Sequence, residues 1–132
     1  MIILDSSFLV AYKIENDEHH EKAKAFMNEI VNGKFGQIFT TDYIFDETVT
    51  VTKRKANSKT AAEIGKFLLD SEIFIAKVDQ LVFQKAWVLF QDNDLSFTDC
   101  SNLAFMYLFS INKIATFDNG FKYIKGVQVI GN

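Results

Sequence analysis

The sequence predicts a single α/β domain over residues 1–132, built on a mainly parallel sheet of about four to five strands with helices on both faces. Three observations predict it. Short apolar runs of strand length alternate with longer segments in which apolar residues recur every three or four positions. Most of those runs are followed at once by Asp, Ser or Thr, the residues that start helices. A chain of 132 residues closes one hydrophobic core rather than two. Strands that alternate with helices are joined by right-handed crossovers, which make the sheet parallel.

The elements follow in order. Ile2-Ile3-Leu4 reads as a buried strand feeding a helix at Asp5-Ser6-Ser7. From Asp17 to Asn32, Ala23, Phe26, Met27, Ile30 and Val31 form a helical stripe that Gly33 closes. Gln37 to Thr41 reads as a strand, with Asp42 the expected N-cap of a helix running to about Ala56. Ser58 is the expected N-cap of the next helix, which carries Ala62, Phe67 and Leu68. Ile73 to Val78 is strand-like, and Asp79 caps a helix containing Leu81, Val82, Ala86, Leu89 and Phe90. Asp92-Asn93-Asp94 breaks that pattern. A helix starting near Thr98 presents Leu103, Phe105, Met106, Leu108 and Phe109, and Lys113 to Phe117 and Val127 to Ile130 are the last strands.

Composition narrows the function. Apolar residues make up 48% of the chain and charged residues 23%, which fits a folded soluble domain and neither a disordered nor a membrane protein. The single cysteine, Cys100, has no thiol partner for a disulfide or a zinc cluster, and the N-terminal residues lack a signal-peptide pattern, so a cytoplasmic location is expected. Fourteen phenylalanines and no proline suggest a core rich in aromatic rings. A net charge of −3 argues, taken alone, against a general basic surface for nucleic acid.

Ligands of parallel sheets bind beyond the carboxyl ends of the strands. Asp5 ends the first strand and Asp118 follows Ile114-Ala115-Thr116-Phe117, so both fall at that edge. Asp99 lies in the first turn of the preceding helix, and Glu47 lies early in the helix after Thr40-Thr41, within roughly 60° of Ile44 and Val51 on a helical wheel. Each acid also has a structural explanation, as a helix cap, a turn residue or a solvated helix position. Together they are harder to explain structurally, because carboxylates gathered in one cleft repel unless a cation or a proton intervenes. An all-oxygen donor set suits Mg²⁺ or Mn²⁺ and the hydrolysis of a phosphodiester by an activated water. Ser6 and Thr98 are placed to orient those carboxylates or their waters, and are equally well placed as helix caps.

Asp5-Ser6-Ser7-Phe8-Leu9, Asp46-Glu47, Leu95-Ser96-Phe97-Thr98-Asp99-Cys100 and Ala115-Thr116-Phe117-Asp118-Asn119-Gly120-Phe121 occur in the order and approximate spacing of the PIN domain family. More narrowly, the whole chain resembles the VapC-type toxins of type II toxin–antitoxin systems. That resemblance implies a Mg²⁺- or Mn²⁺-dependent endoribonuclease, using one or two ions, with Asp5, Glu47, Asp99 and Asp118 as catalytic metal ligands. It also implies an RNA substrate, a homodimer, and inhibition by a VapB-type antitoxin that inserts a segment into the active-site groove. A nuclease of RNA maturation shares the same acids. The chain departs from the family pattern in Cys100, where a small alanine-like residue is usual, and in having Arg54 as its one arginine.

Lys53-Arg54-Lys55 is the densest basic cluster, suited to an RNA backbone or to the dipole of a helix C-terminus. His19 and His20 lack the spacing of a zinc protease and read as solvated or packing residues. Phe8, Phe97 and Phe121 are close enough to the acids to stack bases, yet fit the core better in so aromatic a chain. Cys100 beside Asp99 is a poor nucleophile, since a neighbouring carboxylate disfavours its thiolate. A non-catalytic domain that binds RNA or protein is the competing class, and the presence of all four acids weighs against it. A receiver-type phosphoacceptor requires an aspartate after a central strand and a lysine after a later one, and Asp118 occupies that later place. Setting the four site acids apart takes the net charge from −3 to +1, so the acidity speaks of a metal rather than of partners.

Overall fold

A computed structural model describes residues 1–132 and gives the elements in order: β1 (Ile2–Leu4), α1 (Ser6–Lys13), α2 (His20–Val31), β2 (Ile38–Thr41), α3 (Asp42–Lys55), α4 (Ser58–Asp70), β3 (Phe74–Ala76), α5 (Gln80–Asp92), α6 (Phe97–Leu108), β4 (Lys113–Ala115), a single 3-10 turn at Asn119–Phe121, and β5 (Gln128–Ile130). The five strands form one parallel sheet in the order β3-β2-β1-β4-β5. β1 is central, with Ile3 in register with Phe39 on one side and Ile114 on the other, and all three of its residues are buried. Its unbroken apolar run is what burial on both faces demands. Right-handed crossovers place α1 to α4 on one face and α5 and α6 on the other, and α1 packs on α2 and α3, α3 on α4, and α5 on α6.

Several boundaries differ from the sequence reading for local reasons. Thr41, not Asp42, caps α3 by accepting the Ile44 N–H at 3.1 Å. Asp42 instead takes the N–H groups of Tyr43 and Val78, tying the start of α3 to the segment after β3. Asn57, not Ser58, caps α4, and Ser96 caps α6, two residues before the expected start near Thr98. The segment from Asp17 to His19 is a turn before α2, because the Asp17 carboxylate holds the His19 N–H at 2.8 Å. Gly33 closes α2 as expected: at φ +92° its N–H reaches the Ile30 carbonyl, and the Lys34 N–H reaches that of Glu29. Asp79 caps α5 as expected.

The core is less aromatic than the phenylalanine count suggests. Phe8, Phe105 and Phe121 are buried, but aliphatic residues dominate. Phe74, Phe83, Phe90 and Phe109 are exposed, because they stand on the edge strand β3, on the outer surface of α5 and just past the end of α6. Phe97 is half-buried among Phe83 and Phe90.

Candidate active site

The direction of the chain through the sheet reverses between β1 and β4, and the crevice at such a switch point is where parallel sheets take ligands. β1 delivers Asp5 to that crevice. The carboxyl end of β4 delivers Thr116 and Asp118, and the second turn of α3 and the first turn of α6 bring in Glu47 and Asp99. All four acids line one cleft of about 510 Å³, together with Ser6, Ser7, Asp17, Glu18, His19, Lys55 and Phe117.

Asp5 occupies the N-cap position of α1 but makes no capping bond with its side chain. Its oxygens are held elsewhere. Oδ2 accepts the Thr116 hydroxyl at 2.7 Å and the Ser7 hydroxyl at 2.9 Å, and Oδ1 accepts the Asn102 amide at 3.2 Å. The Thr116 hydroxyl in turn accepts the Asp118 N–H at 3.0 Å, and the Ser7 hydroxyl accepts the Phe117 N–H at 3.0 Å. The expected strand to Phe117 ends at Ala115; the Thr116 N–H still reaches the Ile130 carbonyl at 3.0 Å, while its side chain fixes the Asp5 carboxylate. Burial of Asp5, which is 2% exposed, pushes its carboxyl up, against the pull of the Thr116 and Ser7 hydrogen bonds.

Asp99 is half-buried, and its carboxyl is pushed from 3.8 up to about 7 by desolvation and then by the charges of Asp5 and Asp118. Asp118 is exposed, and its Oδ1 accepts the Gly120 N–H at 2.9 Å, the turn geometry expected of Asp-Asn-Gly. Glu47 is half-buried and accepts a hydrogen bond from the buried Ser6 hydroxyl, so Ser6 orients this carboxylate. The Thr98 side chain makes no hydrogen bond to the acids. Its carbonyl takes the Ser101 hydroxyl, and it lies beside Glu47 and Arg54 on the adjoining surface.

The four acids share the cleft without closing around one point: no three His, Cys, Asp or Glu side chains stand close enough to ligate a single ion together. Such an open, all-oxygen set fits a hard cation that keeps several of its waters, which describes Mg²⁺ better than zinc. The repulsion that drives Asp99 toward the neutral form is the second mark of that fit, because a cation relieves it and a proton is the substitute.

The basic triplet does not act as one patch. Helical geometry turns Lys55 into the cleft, Arg54 toward the neighbouring surface with Thr98, and Lys53 to a separate groove between α3 and α4. Phe8 and Phe121 are wholly buried and offer no face to a base. Cys100 is buried, and desolvation and the Asp99 charge push its thiol up, away from any nucleophilic role.

Sequence reasoning missed Ser7, Asn102 and Thr116, the three side chains that hold Asp5, and it missed the position of His19. Ser7 and Thr116 stand within two residues of Asp5 and Asp118, a proximity that marks them as candidates. Asn102 sits one helical turn after Asp99, which puts it on the same face of α6.

A family model described as PIN domain matches residues 2–127. A VapC ribonuclease from Archaeoglobus fulgidus is 29% identical over 103 residues, a match covering 74% of this chain and 64% of that relative's length. Among solved structures, the chain is similar to Mycobacterium tuberculosis VapC20, described as a sarcin-ricin loop cleaving toxin, at TM-score 0.84 and 22% identity over 92% of this chain and 93% of that one. It is also similar to VapBC2 from Rickettsia felis, solved bound to a DNA fragment from the promoter of that pair, at TM-score 0.73 and 12% identity over 98% of each chain.

Proposed function

The chain belongs to the PIN domain family, and on that premise we propose that it is a Mg²⁺- or Mn²⁺-dependent endoribonuclease, the toxin of a type II toxin–antitoxin pair. The observation that carries the reading is the convergence of Asp5, Glu47, Asp99 and Asp118 on one cleft at the switch point of the sheet. The relatives support the narrower part: the Archaeoglobus fulgidus protein is a VapC ribonuclease, and the Mycobacterium tuberculosis protein is described as a sarcin-ricin loop cleaving toxin. The same comparisons support a VapB-type antitoxin as protein partner, and the proposal includes a homodimer acting in the cytoplasm.

Asp5, Glu47, Asp99 and Asp118 would hold one or two ions, directly or through water. A bound ion supplies Lewis acidity, acidifies the attacking water and offsets charge on the phosphate oxygens. The remaining work falls to the chain itself. Thr116, Ser7 and Asn102 fix Asp5 in one orientation, and Ser6 does the same for Glu47. Desolvation and the charges of Asp5 and Asp118 hold the Asp99 carboxyl up to about 7 in the free protein, a position that positive charge in the cleft would relieve. Lys55 is the one amine lining the cleft, placed to meet a backbone phosphate.

The test is incubation of the pure protein with total RNA, with Mg²⁺, with Mn²⁺ and with chelator, followed by mapping of the ends. Metal-dependent cuts confined to a few RNA sites are expected. Absence of any cut in either metal would overturn the nuclease and favour a domain that only binds RNA or protein.

A further inference from the structure

His19 and His20 are adjacent in sequence but have separate environments. The His20 ring is buried and its Nδ1 lies 2.8 Å from the Ala11 carbonyl, which pins α2 to α1. The His19 ring lines the acidic cleft, with its side chain 35% exposed. It lies flat on Phe117, with centroids 4.4 Å apart and an interplanar angle of 6°. Phe117 is in turn stacked on the wholly buried Phe8, at 5.8 Å and 21°. The three rings form a column that starts in the core and ends in the cleft beside Asp118.

Each ring of the column is fixed from a different element. Phe8 is on α1. The Phe117 N–H is held by the Ser7 hydroxyl, and its ring lies where a side chain at Gly131 would be, since a Cβ there would approach Phe117 Cε1 to 3.3 Å. The His19 backbone is held by Asp17. A fixed planar ring with one face covered and a substantial part exposed is a stacking platform, and its place in a nuclease cleft selects a flat ligand.

Charge says which part of the RNA meets this wall. Asp17 and Glu18 flank His19, and Glu18 Oε1 is 3.4 Å from His19 Nε2, so the wall repels a phosphate. A nucleobase carries no such charge. The lone amine, Lys55, comes from the end of α3, an element separate from this wall, and leaves the backbone a different path.

We propose that His19 contacts the substrate by stacking an unpaired nucleobase of the RNA on its free face, extending the Phe8–Phe117–His19 column and positioning the adjacent phosphodiester at the acids. This rests on the ribonuclease reading of the cleft and adds to it a base-binding residue. An unpaired base is required, because a duplex offers no free ring face to a wall of this size.

The test uses a single-stranded ten-nucleotide RNA carrying 2-aminopurine, with Ca²⁺ in place of Mg²⁺, read by fluorescence quenching and by anisotropy for wild type, His19→Ala and His19→Phe. Total-RNA cleavage in Mn²⁺ is scored in parallel, and circular dichroism checks the fold of each variant. Wild type and His19→Phe are expected to quench 2-aminopurine, and His19→Ala to lose the quench and bind on the order of tenfold more weakly. Quenching by wild type without any cleavage of total RNA would support the stack and retire the nuclease. Cleavage and quenching by His19→Ala equal to wild type would overturn the stack and leave the nuclease standing. Failure of His19→Phe to restore what His19→Ala loses would also overturn it, since stacking tolerates that exchange.

Discussion

Replacing Asp99 with Asn tests the electrostatics of the cleft without relying on an RNA substrate. The Asp99 carboxyl is raised from 3.8 to about 7 in the folded chain, chiefly by desolvation and by Asp5 and Asp118. A rise of about three pKa units corresponds to at most ~4 kcal/mol. Asp99 is half-buried, so solvent screening reduces that to about 1–2 kcal/mol. The sign is set by a folded pKa that lies above the unfolded one. The favourable state is complete below pH 3.8, and stability is lost as pH rises through about 7, where folding must accommodate a third negative charge beside two others. Asn is nearly isosteric and never ionises. In chelator at pH 8 the variant is expected to melt about 3–8 °C above wild type, with the gap narrowing below pH 7 and almost closed near pH 4. Adding millimolar Mn²⁺ should raise the wild-type melting point and move the variant far less. Calorimetric scans across that pH range decide the matter. A variant no more stable than wild type at pH 8, or a gap independent of pH, would show that Asp99 is not under charge strain.

Thr116→Val removes the shortest hydrogen bond to Asp5 and an acceptor for the Asp118 N–H, and should cost about 1–3 kcal/mol by urea unfolding and reduce Mn²⁺-dependent cleavage on the order of 10–100-fold. Lys55→Ala should weaken RNA binding and lower the slope of log affinity against log salt by about one, whereas Lys53→Ala, on a separate groove, should leave both unchanged in a salt titration. Gly131→Ala places a Cβ 3.2 Å from the Thr116 carbonyl at φ +109°, and should cost about 1–3 kcal/mol in thermal melts while disturbing the Phe117 ring.

The elements were legible because most strands are short apolar runs ended by a helix-starting residue, a pattern set by local chemistry. The caps of α3 and α4 were legible to within one residue. Thr41 and Asp42, or Asn57 and Ser58, are adjacent capping residues, and which of each pair takes the backbone N–H depends on where the chain leaves the preceding segment. The excess of phenylalanine misled, because counting rings says nothing about which face of α5 or α6 they occupy. The acids were legible through their places after strands. Ser6, the support of Glu47, was legible too, but the distant supports of Asp5 were not: Asn102 reaches Asp5 across a sequence separation of 97 residues and Thr116 across 111, and no local pattern encodes a pairing of that span. The basic triplet shows the converse, nearness in sequence without a shared surface. Three adjacent residues on a helix diverge by about 100° each, so a dense cluster in sequence becomes three separate positions in space.

The cleft holds six carboxylates, Asp5, Asp17, Glu18, Glu47, Asp99 and Asp118, against the single amine of Lys55. A polyanion cannot settle there against that field unless positive charge is supplied. On the proposed reading, metal binding and RNA binding are therefore coupled, and coupling of binding free energies is reciprocal: whatever factor a divalent ion adds to RNA affinity, RNA adds to the affinity for the ion. The net charge of −3 thus does not keep RNA away from the protein at large. On the proposed reading, negative charge is concentrated where it makes RNA entry conditional on the ion, while the ring of His19, stacked on Phe117, provides the part of the wall on which a base can rest.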